Sequence, residues 1–387
     1  MRTNENVLRI WESLRSNHLE ILGTWTPGEL IYRETMYDYQ ADLANGLNVR
    51  QASRIGMAKA ILTTKADTIE LNEPLMVRAW PSLVVQVAAI RIARRALRRD
   101  FRVVTYAIEN HPPNQTVGSF LGISAKSVPV MLLVRTVLRF ITGPVDAVAF
   151  GSGAAEDNYS AFVRWHQRTE QLTVLELPAP CTCTSATGTA LEDSNISNDK
   201  NGVLFVGEFS DRKGVRKLLD AWESTRRHDT SLTIIGKGPL EKEVVNRAKV
   251  RNDIVVKIDP TRSEIHQMLW DARVVVLLSR RERRWREQLG LPIAEGLSHG
   301  CSIVSTDATG YSSWLRHHNH EIVSEDASPN DVANAIETSI LKSDSAKTLA
   351  TLPTTDIRKE VDTWLHQTRL RAVTELADPL SEPPTRR

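Results

Sequence analysis

The sequence predicts an α/β protein made of two parallel-sheet domains that face each other across a cleft. At 387 residues the chain is too long for one ordinary hydrophobic core. Short β-branched runs alternate with longer helical patterns, which is typical of βαβ units. A polar stretch, residues 182–202, has almost no bulky apolar side chain and divides the chain into two similar halves.

The predicted elements alternate in both halves. In the first half the predicted strands are residues 67–71, 102–108, 146–150 and 172–177, with 6–11 as a further candidate, and the predicted helices are 81–99, 128–141 and 154–165. In the second half the predicted strands are 203–207, 231–236, 254–258, 273–279 and 302–306, and the predicted helices are 215–227, 240–250, 263–271, 292–299, 329–341 and 357–376. The resulting domain prediction is 1–181, a linker 182–202, a second domain 203–350, a terminal helical segment 351–376 and a disordered tail 377–387.

Composition and charge exclude several classes of protein. The hydrophobic content of 41% and charged content of 25% are those of a soluble globular protein, and the net charge of +2 gives no reason to expect nucleic acid. The chain has neither the apolar run of a signal peptide nor one of membrane-spanning length, so we expect it in the cytoplasm. Cys181, Cys183 and Cys301 cannot build a disulfide framework, and no Cys/His set has zinc spacing, so we expect no metal.

Several short motifs follow the predicted strands of the second half. They are Gly207, Lys213-Gly214, Gly236-x-Gly238-Pro239, and the pair Glu287 and Glu295 around Gly290-Leu291-Pro292. Each is weak alone. In this order and spacing they resemble the nucleotide-sugar-binding domain of retaining glycosyltransferases of the GT-B fold, family 4 (group 1).

The resemblance implies a role for each motif residue. Glu295 would accept the ribose hydroxyls, Glu287 would hold hydroxyls of the donor sugar, and Lys213 would neutralise the leaving diphosphate. The resemblance also implies a set of backbone contacts to the donor, made at Gly207, Gly236, Gly238, Gly290 and Leu291. From the residues themselves, Pro292 suits the first turn of a helix, and Glu295 then lies near the positive end of its dipole.

One position departs from the family pattern. Glu208 stands where the family has an arginine on the diphosphate, and a carboxylate there costs electrostatic energy. Either Glu208 points away or another cation replaces the arginine. Arg280 and Arg284 in the basic run "SRRERRWRE" are the candidates, although a solvent-exposed charge run is the alternative interpretation.

The first half resembles the family less closely, because it lacks the usual Gly-Gly loop. His111 in "YAIENHPP" is a candidate residue near the donor sugar, with an ordinary loop histidine as the alternative. The segments 90–99 and 128–140 are basic and amphipathic, which predicts either sheet-covering helices or peripheral contact with the inner face of a membrane. The last helix, around Trp364, resembles the crossover helix that returns to the first domain.

The resemblance implies a retaining, metal-independent hexosyltransferase. It would move a sugar from a nucleotide diphosphate sugar, its co-substrate, to a hydroxyl acceptor on a polysaccharide, glycolipid or small glycoside, and would need no other cofactor. Two alternatives stay open: a nucleotide-sugar epimerase of the same fold, and a non-catalytic nucleotide-binding relative. The sequence does not specify the nucleotide, the sugar, the acceptor or the oligomeric state.

Overall fold

The computed structural model describes residues 7–36, 38–183, 200–225, 230–283 and 285–367. The chain divides into two compact units, Met1–Glu176 with Ile357–Arg387, and Leu177–Asp356. Each unit contains one sheet whose strands are all parallel, covered by helices. The predicted linker at 184–199, the end of the predicted last helix at 368–376 and the tail 377–387 lie outside the described residues.

The first unit has a seven-stranded sheet. Its strands are β1 (Val7–Leu14), β2 (Gly28–Thr35), β3 (Val49–Gln51), β4 (Thr68–Leu71), β5 (Arg102–Ala107), β6 (Ala147–Phe150) and β7 (Glu170–Thr173), in the order β3-β2-β1-β4-β5-β6-β7. Its helices are α1 (Ser16–Leu22), α2 (Arg54–Thr63), α3 (Trp80–Arg95), α4 (Pro113–Leu121), α5 (Val128–Thr142), α6 (Gly153–Phe162) and, from the end of the chain, α14 (Ile357–His366).

The second unit has a six-stranded sheet. Its strands are β8 (Val203–Val206), β9 (Leu232–Ile235), β10 (Ile254–Lys257), β11 (Val274–Leu277), β12 (Ser302–Thr306) and β13 (Glu321–Val323), in the order β10-β9-β8-β11-β12-β13. Its helices are α7 (Val215–Ser224), α8 (Glu241–Lys249), α9 (Arg262–Asp271), α10 (Leu291–Ser298), α11 (Ser312–His317), α12 (Pro329–Lys342) and α13 (Ser345–Ala350).

The predicted α/β class is therefore confirmed in both units. The two sheets share one strand order, with the first strand of each unit lying beside its second and fourth. Parallel sheets of this order bind ligands beyond the carboxyl ends of their strands, where the strand order reverses. In the second unit that reversal lies between β8 and β11, which pair directly.

Some elements of the first unit were not predicted. The prediction missed β2, β3 and the helices α1, α2 and α4, and β7 begins before the predicted residue 172. β2 was missed because its sequence, "GELIYRET", is half polar. Its charged side chains pair with neighbouring strands, as in the contact of Arg33 with Glu12.

The last described helix, α14, belongs to the first unit. Its Val361 and Leu365 are buried against strands β5 and β6, with Trp364 partly buried beside them. The predicted return of the chain and the predicted packing of Trp364 are both observed. The chain thus needs residues from both of its ends to complete the first unit.

A buried network of charges also attaches α14 to the sheet. Arg9 of β1 lies 2.6 Å from Asp362 and 3.3 Å from Glu70, and Arg358 lies 3.2 Å from Glu70. His366 contacts the carboxylates of Glu70 and Asp362 at 3.3 and 3.2 Å. Because all five side chains are almost fully buried, each charge depends on its partners for compensation.

Among the residues that the structure describes, no helix combines the length and the apolar character needed to span a bilayer.

Candidate active site

A partly buried ion pair lies where the strand order of the second sheet reverses. Lys213 ends a short turn after β8, and its Nζ donates to Oε2 of Glu287, in the loop after β11, at 2.5 Å. The Ser279 hydroxyl donates to the same oxygen at 2.7 Å. The ring of Trp285 lies 4.9 Å from the Lys213 ammonium. The structure thus brings together two residues that are 74 positions apart in the sequence.

Glu295 lies on α10, the helix that follows this loop. Gly290 caps the helix with a φ of +89°, Leu291 is its first residue, and Pro292 is in its first turn, as the sequence predicts. Glu295 is the fifth residue, just past the first turn, and accepts from Arg262 at 2.5 Å. Its charge is therefore compensated by an arginine that the sequence analysis did not identify. Arg262 begins α9, far from the motif in sequence.

Glu208 is neutralised by a cation that the sequence analysis missed. Its carboxylate lies 2.5 Å from the Arg212 guanidinium and accepts from the Ser210 hydroxyl at 2.9 Å. The Arg212 guanidinium also lies over the Trp285 ring, at 4.5 Å. Arg212 directly precedes Lys213, and this adjacency was the signal that could have identified it.

The two arginines suggested as substitutes occupy other positions. The Arg280 side chain is 53% exposed and lies 3.8 Å from Asp326. Its backbone N–H donates to the carbonyl of Arg212 at 2.9 Å, so the Arg280 backbone lies near the site while its side chain lies beside Asp326. Arg284 lies outside the described residues.

The two glycines after β9, Gly236 and Gly238, are required by the fold itself. Gly236 has a φ of +146°, and a Cβ at this position would lie 1.8 Å from the carbonyl oxygen of Gly207. A Cβ on Gly238 would lie 2.7 Å from the carbonyl oxygen of Phe209. The sequence analysis assigned this close approach to a ligand. The structure shows a close approach between the loops after β8 and β9. Contact of Gly236 and Gly238 with a donor stays a prediction.

His111 lies in the first unit, in the loop between β5 and α4. Its backbone N–H donates to the Glu109 carboxylate at 2.9 Å, and its carbonyl accepts from the Asn158 amide at 3.1 Å. Glu73, which the sequence analysis missed, follows the adjacent strand β4 and accepts from the backbone N–H of Ile108 at 2.6 Å. Burial, and then the nearby Glu109 carboxylate, raise the pKa of Glu73 well above its usual value. His111 is therefore part of a buried polar cluster at the carboxyl ends of β4 and β5.

Two parallel sheets with this strand order, followed by a helix that returns to the first unit, form the fold of GT-B glycosyltransferases. Residues 188–351, less than half of the chain, match the family described as glycosyl transferases group 1. The predicted resemblance to group 1 glycosyltransferases of the GT-B fold is confirmed.

Solved structures resemble the chain over nearly its whole length. The Anabaena protein Alr3699/HepE in complex with UDP has a TM-score of 0.63 at 15% identity, over 93% of this chain and 95% of that one. The lipopolysaccharide outer core galactosyltransferase WaaB has a TM-score of 0.58 at 14% identity, over 93% of this chain and 98% of that one. A UDP-forming α,α-trehalose-phosphate synthase from Burkholderia xenovorans has a TM-score of 0.59 at 12% identity, over 93% of this chain and 94% of that one. No curated protein sequence matches the chain.

Proposed function

We propose that the protein is a retaining glycosyltransferase that moves a hexose-type sugar from a nucleotide diphosphate sugar to a hydroxyl acceptor. The observation that carries the proposal is the Lys213–Glu287 ion pair at the strand reversal of a group 1 domain, followed by Glu295 on the next helix. A cation for the diphosphate, a carboxylate for the sugar and a carboxylate for the ribose then lie at one edge of one sheet.

Donor binding would replace contacts that the site residues now make with each other. Lys213 would exchange Glu287 for the diphosphate, and Glu287 would accept hydroxyls of the sugar instead. Arg212 would supply the second cation in place of the arginine that Glu208 replaces, since it already lies beside Lys213 on the Trp285 ring. The amino end of α7 adds the partial positive charge of a helix terminus.

The reaction would proceed by charge stabilisation on the leaving group. The bond from the sugar C1 to the diphosphate oxygen breaks, and both electrons leave with the diphosphate. The acceptor oxygen bonds to C1 on the face that the leaving group vacates, which retains configuration, and the hydroxyl proton passes to a diphosphate oxygen. Lys213 and Arg212 would stabilise the developing charge, so the proposed step does not involve a metal ion.

Uridine is the first base to test. The Anabaena structures are described as complexes with UDP and with UDP-glucose, and the Burkholderia enzyme is described as UDP-forming. We therefore take UDP-glucose as the first donor for this chain.

Nucleotide binding can be measured as a thermal shift with UDP, GDP and ADP. We expect one of them to raise the melting temperature of the wild type, since a ligand at 100 times its Kd stabilises a protein by about 2.7 kcal/mol. Glu295→Ala should abolish the shift because it removes the acceptor for the ribose hydroxyls. The control is Glu223→Ala, which removes an exposed glutamate paired with Arg247 and should leave the shift intact.

Product release separates the proposed enzyme from its two alternatives. A transferase releases nucleotide only when an acceptor is present, and an epimerase releases it with the donor alone. A non-catalytic relative shows the thermal shift and releases nucleotide in neither case. The proposal is wrong if none of the three nucleotides raises the melting temperature of the wild type. It is also wrong if nucleotide raises the melting temperature of Glu295→Ala as much as that of the wild type.

We also propose that the first unit contacts an anionic membrane surface and uses a lipid-linked acceptor. Large apolar side chains are exposed along α4, α5 and their connection: Phe120, Leu121, Ile123, Val128, Leu132 and Leu133. Exposed cations accompany them: Lys126, Arg135 and Arg139. Contiguous apolar surface next to basic side chains favours binding to anionic lipids.

The basic segment 90–99 contributes less to such a surface than the sequence suggested. The helix ends at Arg95. Arg94 lies 2.5 Å from Asp146, and the Arg91 guanidinium lies 4.1 Å from the Phe140 ring. These two arginines therefore hold α3 against its own unit, and the proposed membrane surface is on α4 and α5.

Flotation with lipid vesicles tests this surface. The full chain should float with vesicles containing phosphatidylserine and not with phosphatidylcholine alone. Leu132→Glu should lower binding about tenfold or more, because burying one leucine contributes about 1.5–3 kcal/mol. Leu341→Glu, on an exposed leucine of α12 in the second unit, is the control. Equal flotation of Leu132→Glu and wild type would contradict the proposal.

A further inference from the structure

Two cysteines and two histidines converge in the second unit, at the carboxyl end of α10. Cys181 and Cys183 precede β8, His266 is on α9, and His299 directly follows α10. One ligand atom from each of the four lies within 4.8 Å of the others. The measured separations are 3.9 Å from Cys181 Sγ to His266 Nδ1, 3.5 Å from Cys183 Sγ to His266 Nδ1, 3.4 Å from Cys183 Sγ to His299 Nε2, and 3.0 Å between the two nitrogens.

Four of the six separations in this set are close to those of a tetrahedral coordination shell, and the other two are at most 4.8 Å. With Zn–S bonds of about 2.3 Å and Zn–N bonds of about 2.0–2.1 Å, tetrahedral angles place sulfur about 3.6 Å from nitrogen and the two nitrogens about 3.3 Å apart. All four measured separations lie within about 0.4 Å of these values. Hydrogen bonding among thiols and imidazoles could account for one or two such contacts, but it does not require four ligand atoms around a common centre.

The surroundings orient the four groups as ligands. Nδ1 of His299 lies 2.7 Å from the carbonyl oxygen of Glu295, which can only accept, so Nδ1 carries the proton and Nε2 presents its lone pair to the cluster. The Trp270 indole N–H donates to Cys183 Sγ at 3.2 Å, and the Cys183 backbone N–H donates to Cys181 Sγ at 3.3 Å. Metal-binding histidines and thiolates typically have such outer contacts.

We propose that Cys181, Cys183, His266 and His299 form a Cys2His2 site for a zinc-like divalent cation. Thiolate and imidazole ligands select zinc over magnesium or calcium, which prefer oxygen. Four protein ligands leave no coordination position for substrate, so the ion is structural. The sequence analysis expected no metal, because a single residue separates the cysteines and both histidines lie more than 80 residues further along the chain.

The site would hold together the two helices that present the donor carboxylate. Arg262 and His266 lie one turn apart on α9, and they contact Glu295 and His299, which are four residues apart on α10 and its end. A metal joining His266 to His299 would fix the register of these helices, and hence the position of Glu295. This consequence for Glu295 rests on the proposed function, whereas the metal site itself does not.

Metal content of the full chain tests the site directly. Protein purified without a metal-affinity tag and dialysed against metal-free buffer should contain about one zinc ion per chain by mass spectrometry. Cys183→Ser should lower the content tenfold or more. Cys301→Ser is the matched control, because Cys301 lies outside the four-residue set and its thiol donates to the carbonyls of Leu269 and Ala272.

A cobalt titration keeps the test decisive if a variant fails to fold. Wild type stripped of metal should bind Co²⁺ with the visible bands and thiolate charge-transfer absorption of a tetrahedral site, and Zn²⁺ should displace it. A wild type that takes up neither ion, or a Cys183→Ser protein that keeps its zinc, overturns the proposal. Nucleotide thermal shifts measured on the same samples are a separate readout, so the metal site and the proposed transferase function can fail independently.

Discussion

Lys213→Ala should lower the rate of sugar transfer by about 10²–10³-fold, the loss typical when one group that stabilises transition-state charge is removed. In the proposed reaction negative charge develops on the diphosphate, and Lys213 lies 2.5 Å from Glu287, the carboxylate that we propose binds the sugar. The loss should appear in kcat as well as in kcat/KM, because the charge on the leaving group grows as its bond to C1 breaks.

The measurement is nucleotide release from UDP-glucose in the presence of a membrane-lipid or sugar acceptor extract. Lys347→Ala, which removes an exposed lysine paired with Asp344, should retain the wild-type rate. Because Glu287 is left buried beside the missing ammonium, the thermal unfolding of each variant is recorded in parallel to exclude a loss of folded protein. A folded Lys213→Ala protein with a wild-type rate would remove Lys213 from the proposed mechanism.

Asp362→Ala should destabilise the first unit by about 3–5 kcal/mol, the cost of breaking a buried ion pair by removing one partner. The substitution leaves Arg9, Arg358 and His366 around Glu70, with three cationic groups facing one carboxylate out of contact with water. Urea unfolding at constant pH measures the loss. Lys359→Ala, on the exposed side of the same helix, should change stability by a few tenths of a kcal/mol.

The pH dependence of stability gives an independent check on this network. Burial alone would lower the pKa of His366, but hydrogen bonds to Asp362 and Glu70 and their charges outweigh it and raise the pKa. Below about pH 6.5 His366 is protonated in both the folded and the unfolded chain, and its contribution is complete. That contribution is lost as the pH rises through the folded pKa. His366→Gln should flatten this part of the profile, and exposed His317→Gln should not; an unchanged profile in His366→Gln would contradict the assignment.

The sequence predicts those features of the site that depend on residues close together in the chain. Pro292, two residues after Gly290, predicts the start of α10, and the motif spacing relates Lys213, Glu287 and Glu295 to one family. Their relation in space then follows from the parallel sheet, which brings the loops after β8 and β11 to the same edge.

The contacts that the sequence does not predict are those between side chains distant in the chain. Arg262 compensates Glu295 from another helix, and nothing local to either residue indicates the pairing. Arg212 was not predicted because the basic run at residues 279–287 contains several arginines closer to the Gly-Leu-Pro motif. Among strands, β2 was missed because cross-strand charge pairs, as at Arg33, let a half-polar segment enter a sheet against its propensity.

Because α14 belongs to the first unit, the second unit can finish folding before the first unit during synthesis. The second unit is continuous in sequence, Leu177–Asp356, and all of its parts have been made before α14 is translated. The first unit begins earlier yet waits for Asp362, whose partner Arg9 was made 353 residues before. Until then Arg9 and Glu70 lack part of their charge compensation, and the apolar surface on β5 and β6 is uncovered. A nascent chain therefore carries an incomplete first unit while the whole second unit is made, and chaperones act on such exposed apolar surface.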